Sequence, residues 1–173
     1  VFTRQVPKLR LQNSFGFTLI ELMVVITITG ILAAIAMPFF FNRANSAKQA
    51  EAKTYIGILN RAQQAYAMEH SRFADSAIAL GLDIRNHTHY KYEIKVEGGS
   101  TPYAVHYADS QLAKLHAYVG MTAFIQANDG TSALQTIMCE ADTAQAGRAT
   151  SPIYSPTVVE CAPGTEDVTN NRR

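Results

Sequence analysis

Tryptophan is absent from the 173 residues, and cysteine occurs only twice, too few for a tetrahedral metal site made of cysteine alone. Charge of one sign is also lacking: 15 Lys+Arg face 14 Asp+Glu, a net of +1. That balance excludes a nucleic-acid binder driven by bulk charge, and equally an acidic-tail protein. Charged residues make up 17% against 47% hydrophobic, below the usual quarter, so apolar residues must be concentrated somewhere. Ten Gly and six Pro are ordinary numbers and exclude disorder throughout. No Gly-rich phosphate loop, G-x-S-x-G or H-E-x-x-H occurs, and no catalytic set emerges. The length has room for one compact domain.

The apolar residues are gathered near the N-terminus. Leu22 to Phe41 is a run of twenty residues without a charge. As a helix it spans roughly 30 Å, the thickness of a bilayer's hydrocarbon core. A buried helix of a soluble domain is the alternative, but such helices are normally shorter. Before the run, residues 1–16 hold Arg4, Lys8 and Arg10 and no acid, leaving 12 basic and 14 acidic residues from Phe17 onward. A basic leader before an apolar stretch is how a secretion signal begins. The stretch is longer than an ordinary signal's, although Ala33, Ala34 and Ala36 offer small residues for cleavage after it. Positive charge favours the cytoplasmic side, yet Arg43, Lys48 and Lys53 behind the span equal the three of the leader.

Glu21 sits among Leu19, Ile20, Leu22 and Met23. A carboxylate in apolar surroundings must find a cation, become protonated, or stay solvated at the interface. Cleavage between Gly16 and Phe17 would free an α-amino group four residues before it, one helical turn away. That amine could meet Glu21 of its own chain or of a neighbour.

Gly16-Phe17-Thr18-Leu19-Ile20-Glu21, with the basic leader before it and the apolar run after it, resembles the class III signal of type IV pilins and their pseudopilin relatives. The resemblance implies cleavage after Gly16 by a prepilin peptidase and N-methylation of Phe17. It also implies that Glu21 neutralises the Phe17 amine of an adjacent subunit during assembly. Residues 1–16 are then a removed leader, and 17–41 the membrane-spanning and filament-core half of a helix. Residues 42–173 form the globular head.

The helical pattern continues to about His70, so one helix from about Phe17 is expected. Its second half should lay Tyr55, Ile58, Ala62 and Tyr66 on a sheet, with Lys48, Lys53 and Arg61 facing elsewhere. Gly30 and Pro38 interrupt the first half; they mark either a fixed kink or, as related pilins suggest, a segment able to unwind in a filament. Residues 71–89 read as a connection pinned by Phe73, Ile78, Leu80, Leu82 and Ile84. Tyr90, Tyr92, Ile94 and Val96 alternate with charged residues, a half-buried strand. Glu97-Gly98-Gly99-Ser100-Thr101 reads as a turn. Tyr103, Val105 and Tyr107 form a second strand, Leu115, Ala117 and Val119 begin a third, and Leu134 to Cys139 form a last, after a turn at Asn128-Asp129-Gly130. The fold class is α+β: a long N-terminal helix whose C-terminal half packs on an antiparallel sheet over about 90–140. The tail from Asp142 reads as a loop.

Cys139 and Cys161, near the C-terminus, have no redox spacing. In an exported domain they should close a disulfide loop of 139–161, and the resemblance implies the same; two separate thiols are the alternative. A disulfide places the head outside the cytoplasm, which favours an N-in, C-out span in the inner membrane before assembly into an extracellular pilus. Shorter likenesses, in Asn60 to Ala74 and in Leu115 to Gly120, are similar to cyanobacterial type IV pilins.

His87-x-His89, with His106 as a third candidate, reads as surface histidines rather than zinc ligands. Asp129, Glu140, Asp142, Glu166 and Asp167 fit no EF-hand calcium loop. No metal or cofactor is expected. The expected function is a structural subunit of a type IV pilus, serving motility, adhesion or DNA uptake, although nothing marks a DNA site. Implied partners are further copies in a helical homopolymer, the prepilin peptidase, an inner-membrane platform, cytoplasmic assembly and retraction ATPases, and minor pilins. The rivals are a pseudopilin of type II secretion, a minor priming pilin, and a membrane-anchored periplasmic enzyme.

Overall fold

The computed structural model describes residues 16–84, 88–127 and 130–169. The chain divides into two units, residues 1–41 and 42–173. Helix α1, Leu19–His70, begins in the first and continues in the second.

In the first unit, the large apolar side chains from Phe17 to Phe41 are between 48% and 84% exposed, so this half of α1 has no protein core of its own. Its polar side chains are turned inward onto the backbone. The Thr27 hydroxyl donates to Val24 O at 2.8 Å and that of Thr29 to Val25 O at 2.8 Å, which suits a helix whose outside is lipid or protein. Pro38 lies inside the helix.

In the second unit, five antiparallel strands form one sheet in the order β1-β2-β3-β4-β7. They are β1 Tyr90–Glu97, β2 Tyr103–Ser110, β3 Tyr118–Gln126, β4 Ser132–Ala141 and β7 Thr165–Asp167. A separate small hairpin pairs β5 Ile153–Tyr154 with β6 Val159–Glu160. The β1–β2 turn closes through Thr101 N to Gly98 O at 2.9 Å. Gly98 is required there: its φ is +96°, and a Cβ would stand 2.3 Å from Thr101 O.

Both faces of the sheet are covered, which is why β2 and β3 are buried along nearly their whole length rather than alternately. Against one face lies α1, through Ala52, Ile56, Leu59, Asn60, Gln63 and Ala67. Ile56 and Leu59 join Tyr90, Ala108, Leu115 and Tyr118 in one apolar cluster. Gly120 makes the close approach possible, because a Cβ there would meet Asn60 Oδ1 at 2.6 Å and Ile56 Cγ2 at 2.7 Å. Against the other face lies the C-terminal segment, whose Ala149 and Val159 pack on Val105, Tyr107, Val119, Met121, Ile137 and Cys139. Each fully buried side chain of Val or Met size contributes about 1.5–3 kcal/mol.

Several expectations are corrected here. The helix buries 52/56/59/60/63/67 rather than 55/58/62/66, because two of its contact positions are polar and two are alanine. Asn60 donates to Ile137 O at 3.0 Å. Gln63 takes the place of a backbone partner for Ala74, donating to its O at 2.6 Å and accepting from its N at 3.0 Å. Tyr55 and Tyr66 sit at the rim, packed on Tyr92 and stacked on His70. Lys53 turns toward the sheet and pairs with Glu140 at 2.8 Å. Ile78 pins nothing, being 87% exposed, whereas Phe73, Leu80, Leu82 and Ile84 pack inward. Leu115 and Ala117 are buried but precede β3. The tail is more than a loop, since it lays a strap over the sheet and adds β7 to its edge. His106 is no surface histidine: it points under the helix and is wholly buried. His87, Asn128 and Asp129 lie outside the described residues.

Candidate functional site

The start of α1 is a capping box. Thr18 is the N-cap, and its Oγ1 accepts from Glu21 N at 3.3 Å. The Glu21 carboxylate reaches back, its Oε2 accepting from Thr18 N at 2.9 Å and from Thr18 Oγ1 at 2.7 Å. The positive end of the helix dipole favours an acid in this first turn. Among the described residues only Oε2 is used, which leaves Oε1 for a further donor. Phe17, Ile20, Val24 and Val25 line the hollow beside it, and Phe17 is 84% exposed. The carboxylate therefore stands on a bare apolar rod, oriented by its own helix start and half used.

Gly30 and Pro38 are not brought to this site. A Cβ on Gly30 would meet nothing within 4 Å, so packing within the chain does not call for a glycine there.

At the opposite end of the chain, Cys139 and Cys161 are bridged, with their Cα atoms 5.7 Å apart. The bridge ties the strap to β4, and two further anchors hold it. Val159 N donates to Gln135 Oε1 at 3.0 Å, and Tyr154 Oη donates to Phe124 O at 3.2 Å while its ring stacks on Tyr103. On the far side, Arg148 Nε donates to Asp109 Oδ1 at 2.9 Å, and its Nη2 reaches both Asp109 Oδ2, at 2.6 Å, and Glu93. Its guanidinium lies over the Tyr107 ring at 4.1 Å. The hydrogen bond from Arg148 holds the Glu93 carboxyl below the usual range, and that to Asp109 raises the Arg148 guanidinium.

The other expected candidates are scattered. Glu140 pairs with Lys53 and lies 3.6 Å from His116 Nδ1, whereas Asp142, Glu166 and Asp167 are exposed. Among the described residues no group of three or more His, Cys, Asp or Glu is placed to hold a metal ion. Burial alone pushes the His106 imidazole down to about 3, and neither of its ring nitrogens has a partner among the described residues.

Sequence reasoning missed Thr18, although Thr-x-x-Glu ahead of an apolar run is the signature of a capping box. It also missed Gln63 and Arg148. No local signal points to the latter, because its partners lie 39 and 55 residues away.

Comparison with known proteins bears on both ends. Residues 49–162, more than half of the chain, match the family model of type IV pilin-like G and H proteins. Residues 11–37 match the prokaryotic N-terminal methylation motif. The type IV major pilin protein PilA of Myxococcus xanthus is 43% identical over 84 residues, 49% of this chain and 38% of that protein. A type IV major pilin protein PilE1 of Neisseria gonorrhoeae is 37% identical over 89 residues, 49% of this chain and 48% of that protein. The type II secretion system core protein G of Pseudomonas aeruginosa is 41% identical over 68 residues, 39% of this chain and 46% of that protein. The chain thus spans about half the length or less of these curated relatives. The likeness to cyanobacterial pilins rests on the residues alone. No solved structure matches.

Proposed function

The chain belongs to the type IV pilin-like G and H family, and from that premise we propose that it is a structural subunit of a type IV pilus. The observation that carries this reading is the half-used Glu21 carboxylate at the start of α1, whose apolar first half has its large side chains exposed from Phe17 to Phe41. Such a helix needs another apolar environment, which lipid supplies to a monomer and copies of the same helix supply to a polymer.

In this account a prepilin peptidase cuts between Gly16 and Phe17, and the new Phe17 amine is methylated. That amine, or its neighbour's counterpart, meets Glu21 Oε1. A charge pair between two chains in an apolar setting is costly to mismatch, so it sets the register of an incoming subunit. Gly30 and Pro38 supply the stretch of helix that can loosen as the rod packs. Before assembly the span runs N-in, C-out, which puts Cys139 and Cys161 in an oxidising compartment. The strapped head then coats the outside of the fibre. Inner-membrane platform, assembly and retraction ATPases and minor pilins are the partners such a fibre requires. Motility, adhesion and DNA uptake are the outputs open to it.

A second reading, a pseudopilin of type II secretion, is favoured by the likeness to core protein G. The experiment that separates the two is recovery of long surface fibres built of this chain. Fibres sheared from cells and dominated by this chain support the pilus subunit; secretion loss on deletion, with no such fibres, supports the pseudopilin.

A further inference from the structure

Two faces of the head carry opposite charge that no ion pair among the described residues neutralises. On α1, Arg43 and Arg61 are 18 residues apart, five turns at 3.6 residues per turn, so they lie on one line about 27 Å apart. Ala47, Ala50 and Thr54 lie along the same line, and all five residues are exposed. This line is diametrically opposite Ala52, Leu59 and Gln63, which face the sheet. Small side chains between two long cations leave room for another chain to approach.

The second face is the β7 edge of the sheet. Glu166 and Asp167 on β7 and Asp142 just after β4 are all exposed. The hydrogen bond from Asp142 N to Gly164 O, at 3.0 Å, holds Asp142 beside the start of β7. Strand β7 pairs with β4 on one side, and among the described residues its other edge has no partner. Some other charges on the head are paired within the chain: Lys53 with Glu140, Arg148 with Asp109 and Glu93, Lys95 with Glu93. Among the described residues, none of Arg43, Arg61, Asp142, Glu166 and Asp167 has an ion-pair partner.

We infer that the occupant of each face is the other face of a second copy: the acidic β7 edge of one head docks on the Arg43–Arg61 line of the next. This rests on the reading of the chain as a polymer subunit. The two patches are different surfaces, so the contact is heterologous and propagates into an open-ended helical array rather than closing as a dimer. Exposed charges act mainly on direction and register and are screened by salt, so the docking orients heads while the apolar helices supply the bulk of the attraction.

Charge exchange tests it in the full-length chain, with fibres sheared from cells and each variant's membrane level measured. Arg43→Glu/Arg61→Glu and Glu166→Lys/Asp167→Lys should each lower fibre yield about tenfold, and the four substitutions together should restore it. Normal yield from both reversals, or a fourfold variant no better than the worse reversal, overturns the docking. If a reversal lowers the protein itself, Arg61→Cys/Glu166→Cys provides an independent readout. Oxidised fibres should give ladders of covalently joined subunits, and their absence overturns the docking. Wild-type cells that make no fibre of this chain would overturn the polymer reading and the docking with it. Wild-type fibres indifferent to both reversals would overturn the docking alone.

Discussion

Glu21 closes onto Thr18: one carboxylate oxygen takes both the backbone N–H, at 2.9 Å, and the hydroxyl, at 2.7 Å, of the helix N-cap. Among the described residues the second oxygen has no partner. Capping and assembly are therefore separable by substitution. Thr18→Ala removes the cap at a cost of about 1 kcal/mol and should still assemble. Glu21→Gln keeps a side chain able to reach back to the N-cap but has no charge to pair with an amine. It should stay in the membrane and fail to enter fibres, as Glu21→Ala should. Fibre yield and membrane content of the three variants decide the matter, and Glu21→Gln assembling normally would remove charge pairing from the account.

The helix and the sheet meet at Gly120. Gly120→Ala places a Cβ 2.6 Å from Asn60 Oδ1, so the helix must shift or the Asn60 side chain must give up its bond to Ile137 O. The expected loss is about 1–3 kcal/mol, read as a lower thermal midpoint. Asn60→Ala in the same chain should recover only part of it, because Ile56 Cγ2 at 2.7 Å remains in the way.

The strap depends on its bridge. Cys139→Ser/Cys161→Ser should destabilise the head by roughly 3 kcal/mol by loop-closure arithmetic, and the strap should open before the sheet melts. Hydrogen exchange should rise first around Ala149 and Val159, which cover the outer face of the sheet.

How far these features were legible in the sequence differs by element. Leu22 to Phe41 announces itself because a membrane helix is defined by a simple run, and β1 because one of its faces is polar. In β2 the alternating Tyr103, Val105 and Tyr107 mark the strand but not its burial on both faces, since Ala104, His106 and Ala108 face the helix while Val105 and Tyr107 face the strap. The contact face of the helix was misplaced because Asn60 and Gln63 do not register as apolar. Arg148 was invisible, being joined to its partners only by tertiary folding. The strap looked like a loop because its backbone leans on the sheet through single hydrogen bonds and one disulfide rather than through long strands.

His106 gives the head an acid limit. Its folded value, about 3, lies below the ordinary 6.5, so the unfolded chain binds the extra proton. The stability that neutral His106 contributes is complete above about pH 6.5 and falls away as the pH drops toward 3. The slope approaches about 1.4 kcal/mol per pH unit at most. Chemical denaturation of the wild type and of His106→Leu between pH 7 and 4 should show the wild-type curve steeper by up to one proton. Parallel curves would mean that His106 is protonated in place.

The central claim is that cutting after Gly16 frees a Phe17 amine that is methylated and meets Glu21, and the most direct test is the intact mass of subunits recovered from shed fibres. The account predicts a chain that begins at Phe17, carries one methyl group on its amine and retains the 139–161 bridge. Subunits in fibres that still carry Gly16, or that begin at Phe17 with an unmodified amine, would contradict it.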